Sequence, residues 1–110
     1  MNGSLARATA EAYLDAVNAV DLDSLVALFA DHALLEHAFG TFEGTEAIRT
    51  FYAENVLAFT PQVTSSNWLE QGRTVTFHLE ASVDGATSQT VDHLTVDDAG
   101  LITHLEVGFR

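Results

Sequence analysis

Four side chains combine a polar group with a setting that can turn it to chemistry: Tyr13, His37, Tyr52 and Asp92. Phenols, an imidazole and a carboxyl are groups that exchange protons and hydrogen bonds, and each of the four could project toward the expected interior. Asp92 is the most informative of the four. It stands in Thr90-Val91-Asp92-His93-Leu94, among good β-formers, and alternation groups it with Leu94 and Val96. A carboxylate facing an interior is costly unless it is paired or protonated. The pattern leaves two readings open, a working carboxyl inside or an ordinary one on the exposed face. Taken alone, Tyr13 and Tyr52 read as core aromatics with bonded hydroxyls, and His37 as a histidine satisfied by its neighbours.

Other chemistries find little support. The chain has no cysteine, so disulfides, zinc–thiolate sites and thiol nucleophiles are excluded. Neither HxH nor HExxH spacing occurs among the five histidines, and no metal is expected. His32 falls in a turn, His78 and His93 point away from any pocket, and His104 fits either face of the last strand. GxGxxG, Walker-type and GxSxG motifs are absent, and no organic cofactor is implied.

The elements that must position the four residues follow from periodicity. A first helix is expected over Leu5 to Val20, with Leu5, Thr9, Tyr13 and Val17 on one stripe. Asp21 caps a second, over Leu22 to Ala30, with Leu25, Leu28 and Phe29 facing inward. Ala33 to His37 reads as a short strand that places Ala33, Leu35 and His37 on one face. A loop from Ala38 to Gly44 leads to a third helix, capped by Gly44 or Thr45 and striped by Ile48, Phe51, Tyr52 and Val56. After Pro61 all is strand: Gln62 to Glu70, Arg73 to Val83, Thr87 to Val96 and Leu101 to Phe109, with a hairpin signal at Asp84-Gly85. In the last strand, Ile102, His104, Glu106 and Gly108 alternate against Leu105, Val107 and Phe109. Helices first and a meander afterwards predict an α+β fold. Three N-terminal helices pack on one face of a curved, mainly antiparallel sheet of four long strands and one short one. Such a cone has an open end suited to a small ligand.

A chain of 110 residues with 47% hydrophobic content predicts a single domain spanning 1–110 with a real core. Met1-Asn2-Gly3-Ser4 shows no basic stretch before an apolar run, and no window approaches a membrane span, so a cytoplasmic location is expected. With four arginines, no lysine and a formal charge of −12, nucleic acid and anionic membranes are poor partners.

The run from Tyr13 to Ala33, Tyr-Leu-Asp-Ala-Val-Asn-Ala-Val-Asp-Leu-Asp-Ser-Leu-Val-Ala-Leu-Phe-Ala-Asp-His-Ala, resembles the first two helices of bacterial ketosteroid isomerase. Gly44 to Ala53 resembles the third helix of that family, and Val91-Asp92-His93-Leu94 the strand bearing its buried aspartic acid. The wider group is the NTF2-like or SnoaL-like superfamily, and the resemblance covers nearly the whole chain. It implies an NTF2-like cone. Tyr13 then matches the oxyanion-hole tyrosine, and Asp92 the oxyanion-hole aspartic acid kept protonated by an apolar setting. Tyr52 matches a tyrosine that hydrogen-bonds the first. The family's general base is an aspartate, and here His37 stands in that position.

The resemblance implies an enzyme that moves a proton beside a carbonyl, on a Δ5-3-ketosteroid-like ligand. Tyr13, His37 and Asp92 are its catalytic residues and Tyr52 supports Tyr13. Phe29, Leu35, Phe39, Phe51 and Phe77 are expected to form apolar walls. Two alternatives stand beside it. One is a SnoaL-like dehydratase, cyclase or hydrolase. The other is a binder of small apolar ligands without chemistry. A homodimer is expected from the resemblance.

Overall fold

The computed structural model describes residues 4–110, and the reading of Met1-Asn2-Gly3 lies outside the described residues. The first helix, α1 (Leu5–Asn18), begins where the Ser4 hydroxyl accepts the Arg7 backbone N–H at 2.9 Å. Ala6, Thr9, Ala10, Tyr13 and Val17 are buried along one face. Leu5, read as part of that stripe, is instead exposed at the helix's first turn, where it lies over Gly100. The helix also stops short of Val20, which takes a left-handed φ of 54°. Asp21 caps α2 (Leu22–Val26), accepting the Ser24 N–H at 3.1 Å.

The second helix does not reach Ala30. The Leu28 carbonyl accepts the Ile102 N–H at 2.8 Å, and Phe29 pairs with Ile102, so the chain is already strand at Phe29. The resulting β1 (Phe29–His37) is longer than periodicity predicts, yet Ala33 and Leu35 are buried and His37 half-buried on its inner face. A short strand, β2 (Gly40–Glu43), replaces the expected loop and pairs back on β1, with His37 opposite Gly40. Helix α3 (Thr45–Asn55) follows, with Gly44 at its start in a positive-φ conformation and no side-chain cap. It buries Ile48, Phe51 and Tyr52.

A single 3₁₀ turn, Leu57–Phe59, leads into four antiparallel strands. These are β3 (Gln62–Gln71), β4 (Thr74–Val83), β5 (Ala86–Val96) and β6 (Ile102–Phe109). Among the described residues the sheet therefore has six strands, in the order β2-β1-β6-β5-β4-β3. All neighbours are antiparallel except β1 and β6, which run parallel. Asp84-Gly85 makes the β4–β5 turn with both residues at positive φ, as a tight primed hairpin requires. Alternation is corrected in one strand. A register shift between Thr95 and Val96 turns Ile102 inward, where it is fully buried like Leu105.

The helices cover one face of the curved sheet, and Leu25, Leu35, Ile48, Phe77, Leu94 and Leu105 fill the space between. The other face is polar: Thr76 bonds His93 at 2.9 Å, and Thr74 bonds Thr95 at 2.9 Å. Among the described residues, no helix is long and apolar enough to cross a membrane.

Val20 is β-branched, 41% exposed and left-handed at the end of α1. That conformation costs an L residue about 1–2 kcal/mol, which glycine avoids. Val20→Gly is expected to raise stability by about 1 kcal/mol, read as an increased urea midpoint with unchanged slope.

Candidate functional site

Between α1, α3 and the inner face of the sheet lies a cavity of about 220 Å³. That is below the roughly 300–1,000 Å³ of pockets that enclose drug-sized ligands. Tyr13, His37, Tyr52 and Asp92 all line it. The structure therefore brings together the four residues singled out by type, from two helices and two strands.

Tyr13 comes from the middle of α1 and Tyr52 from α3, and both rings are buried. Their hydroxyls are 2.8 Å apart, and the rings meet edge to face at 6.1 Å. When Tyr52 donates to Tyr13, the Tyr13 proton is free for another acceptor. Burial pushes both phenols above their ordinary range, and the nearby Asp92 charge pushes in the same direction. Both remain neutral donors at pH 7.

Asp92 lies on β5 opposite Phe77 and Val107, with 1% of its surface exposed. The inward reading of its alternation is what the strand shows. Burial raises its carboxyl to about 6, against the opposing effect of a 2.7 Å hydrogen bond donated by the Thr90 hydroxyl. Thr90 precedes Asp92 by two residues, on the same face. That spacing was the sequence signal for a polar partner, and sequence reasoning passed over it.

His37 ends β1, its ring packed against Phe51 at 5.0 Å and Phe39 at 4.9 Å, with Phe109 edge-on at 6.3 Å. Burial lowers its affinity for a proton, so the ring is neutral at pH 7. The Phe39 backbone N–H donates to His37 Nδ1 at 3.2 Å.

Of the five expected wall residues, Phe39 and Phe51 line the cavity. Phe29, Leu35 and Phe77 face inward but are fully packed in the core rather than bordering it. Phe29 lies against Tyr52 at 6.0 Å, and Phe77 is stacked on Trp68 at 4.5 Å. Phe59 and Phe109, not foreseen, line the cavity together with Phe39, and all three are exposed, marking where it opens.

The raised Asp92 carboxyl has a consequence for stability. The folded state holds the proton more tightly than the unfolded chain, so the contribution is full below about pH 4 and is lost as pH rises through about 6. Asn keeps the shape without the charge. Asp92→Asn is expected to match the parent at pH 4 and to exceed it at pH 8 by up to ~3 kcal/mol. Paired urea titrations at the two pH values check this, and an equal difference at both would refute it.

Residues 10–105 match the SnoaL-like domain. Solved structures share the fold. A computationally designed 17-OHP binder superposes with a TM-score of 0.87 at 23% identity, over 99% of this chain and 93% of that one. A Mycobacterium tuberculosis protein, RV0760c, in complex with estradiol-17beta-hemisuccinate gives 0.82 at 23% identity, over 98% and 95%. A candidate ketosteroid isomerase from Kribbella flavida gives 0.85 at 21% identity, over 96% and 78%. At these identities the likeness speaks for the fold alone. The match over residues 10–105 goes further: the chain belongs to the SnoaL-like domain family.

Proposed function

We propose that the cavity binds a small, largely apolar carbonyl compound and stabilises negative charge on its oxygen, with Tyr13 and protonated Asp92 as donors. One observation carries this reading. A carboxyl with 1% exposure, raised to about 6, faces the same cavity as a phenol pair that burial keeps neutral. Fixed donors in a water-poor site favour an oxygen that is gaining charge over a neutral one. They therefore favour the enolate-like form of a ketone. Tyr52 orients Tyr13 through the 2.8 Å contact. The cavity of about 220 Å³ fits a compact ring system, and a steroid-like body would extend past Phe39, Phe59 and Phe109 into solvent.

A second reading adds turnover. His37 lines the same cavity and is neutral at pH 7. As a base it would take a proton from the carbon beside the carbonyl and return it two carbons further along. A β,γ-unsaturated ketone would become the conjugated isomer, as in ketosteroid isomerase.

Asp92 donates only when protonated, so a neutral ketone is expected to bind more tightly as pH falls through about 6. Titration with 2-tetralone at pH 5 and pH 8 checks this. Tyr13→Phe is expected to weaken binding about tenfold, and Asp92→Asn to remove the pH dependence. Unchanged affinity in both variants would sink the proposal. Growth of enone absorbance from a β,γ-unsaturated 3-ketosteroid tests the second reading. Turnover that rises through a histidine-like pKa supports it, and binding without turnover leaves the first reading alone.

A further inference from the structure

We infer that His37 meets the ligand as a hydrogen-bond donor through Nε2–H, so that the cavity selects a compound carrying a second acceptor oxygen. The ligand part rests on the carbonyl-binding reading above. The donor part stands on His37 itself and argues against its use as a base.

The Phe39 backbone N–H has only a proton to offer, so His37 Nδ1, 3.2 Å away, must supply the lone pair. A neutral imidazole carries one N–H. With Nδ1 accepting, that proton is on Nε2. Protonating Nδ1 would set two N–H groups against each other and forfeit the bond. Turning the ring over would break the same bond, with a carbon facing the Phe39 N–H in place of Nδ1. A base needs a free lone pair, and in this arrangement the ring has none to spare. Among the described residues, Nε2 makes no hydrogen bond of its own.

The topology sets where this donor stands. Glu36 pairs with Glu106 in the parallel β1–β6 ladder, which puts His37 level with Val107, and Val107 pairs with Asp92. His37 and Asp92 thus flank Val107 from the strands on either side of β6. Two strand spacings separate their Cα atoms by roughly 10 Å. One carbonyl oxygen at Tyr13 and Asp92, an apolar body over Val107, and a second acceptor at His37 complete the match. That acceptor is a carbonyl, ether or hydroxyl oxygen. A protonated amine there would face a donor with a donor.

Two measurements on the full chain test this. The ¹⁵N shifts of histidine-labelled protein at pH 7 report which His37 nitrogen bears the proton, and Nε2 is expected. Binding of 6-methoxy-2-tetralone is compared with that of 2-tetralone, which lacks the second oxygen. The methoxy ketone is expected to bind about fivefold more tightly, a preference that His37→Phe erases and His37→Gln, which keeps an N–H, partly retains. A proton on Nδ1, equal affinity for the two ketones, or enone turnover lost in His37→Gln would overturn the inference. If neither ketone binds, the carbonyl-binding reading falls and the ligand class with it, while the nitrogen shifts still decide donor against base.

Discussion

Taking the Asp92 carboxyl out of water imposes conditions on everything around it. A buried carboxylate must be neutralised, paired or well hydrogen-bonded. Here no arginine reaches it: Arg7, Arg49 and Arg73 pair with Glu11, Glu70, Asp23 and Asp98 elsewhere, and Arg110 bonds backbone carbonyls. The Thr90 hydroxyl offers one hydrogen bond at 2.7 Å, which offsets burial only in part. The group responds by holding its proton more tightly.

The architecture follows from keeping that carboxyl dry. β5 lies between β4 and β6, so Asp92 is away from any sheet edge. α1 and α3 close over the inner face, joined above the site by the Tyr13–Tyr52 contact. That contact is also a packing device. Tyr52 touches Tyr13, Phe29 and Phe51, so the phenol that orients Tyr13 is itself held on three sides. The donor geometry is thereby built into the core, where rearranging it would cost packing as well as a hydrogen bond. The parallel pairing of β1 on β6 carries His37 to the level of Val107 and gives the cavity its second polar point.

Much of this was legible in the residues because alternation is a local rule. Val75, Phe77 and Leu79 on β4 and Leu94 and Val96 on β5 declare their face, and the strands obey; Asp92, which alternation left open between two readings, follows Leu94 inward. Boundaries decided by distant partners were not legible. Nothing near Phe29 says strand; its partner Ile102 lies at the far end of the chain. Gly40–Glu43 is too short to show a period and becomes strand only by pairing with β1. On β3, an edge strand mostly exposed on both faces, no burial pattern is imposed and none was readable. The walls illustrate a further limit. Phe77 and Leu35 do face inward, but facing inward does not decide whether a residue meets the cavity or the packed core. That depends on depth along the cone, which the period of a strand does not encode.

Position 37 shows how a side chain's meaning is set by its backbone. An aspartate there, as in the family this sequence resembles, would present lone pairs and, near neutrality, a negative charge. Histidine is usually read as the stronger base of the two, since imidazole holds a proton more tightly than a carboxylate. That reading assumes a lone pair available to the ligand, and the Phe39 N–H uses the one on Nδ1. What remains toward the cavity is a neutral ring with one proton to give. The exchange therefore turns an acceptor into a donor, on the opposite side of Val107 from donors that already face the same space. A cavity with donors on both flanks and apolar walls between them discriminates by the placement of oxygens. Such selectivity is modest, about the worth of one hydrogen bond, because a ligand lacking the second oxygen leaves only a partly buried N–H without a partner.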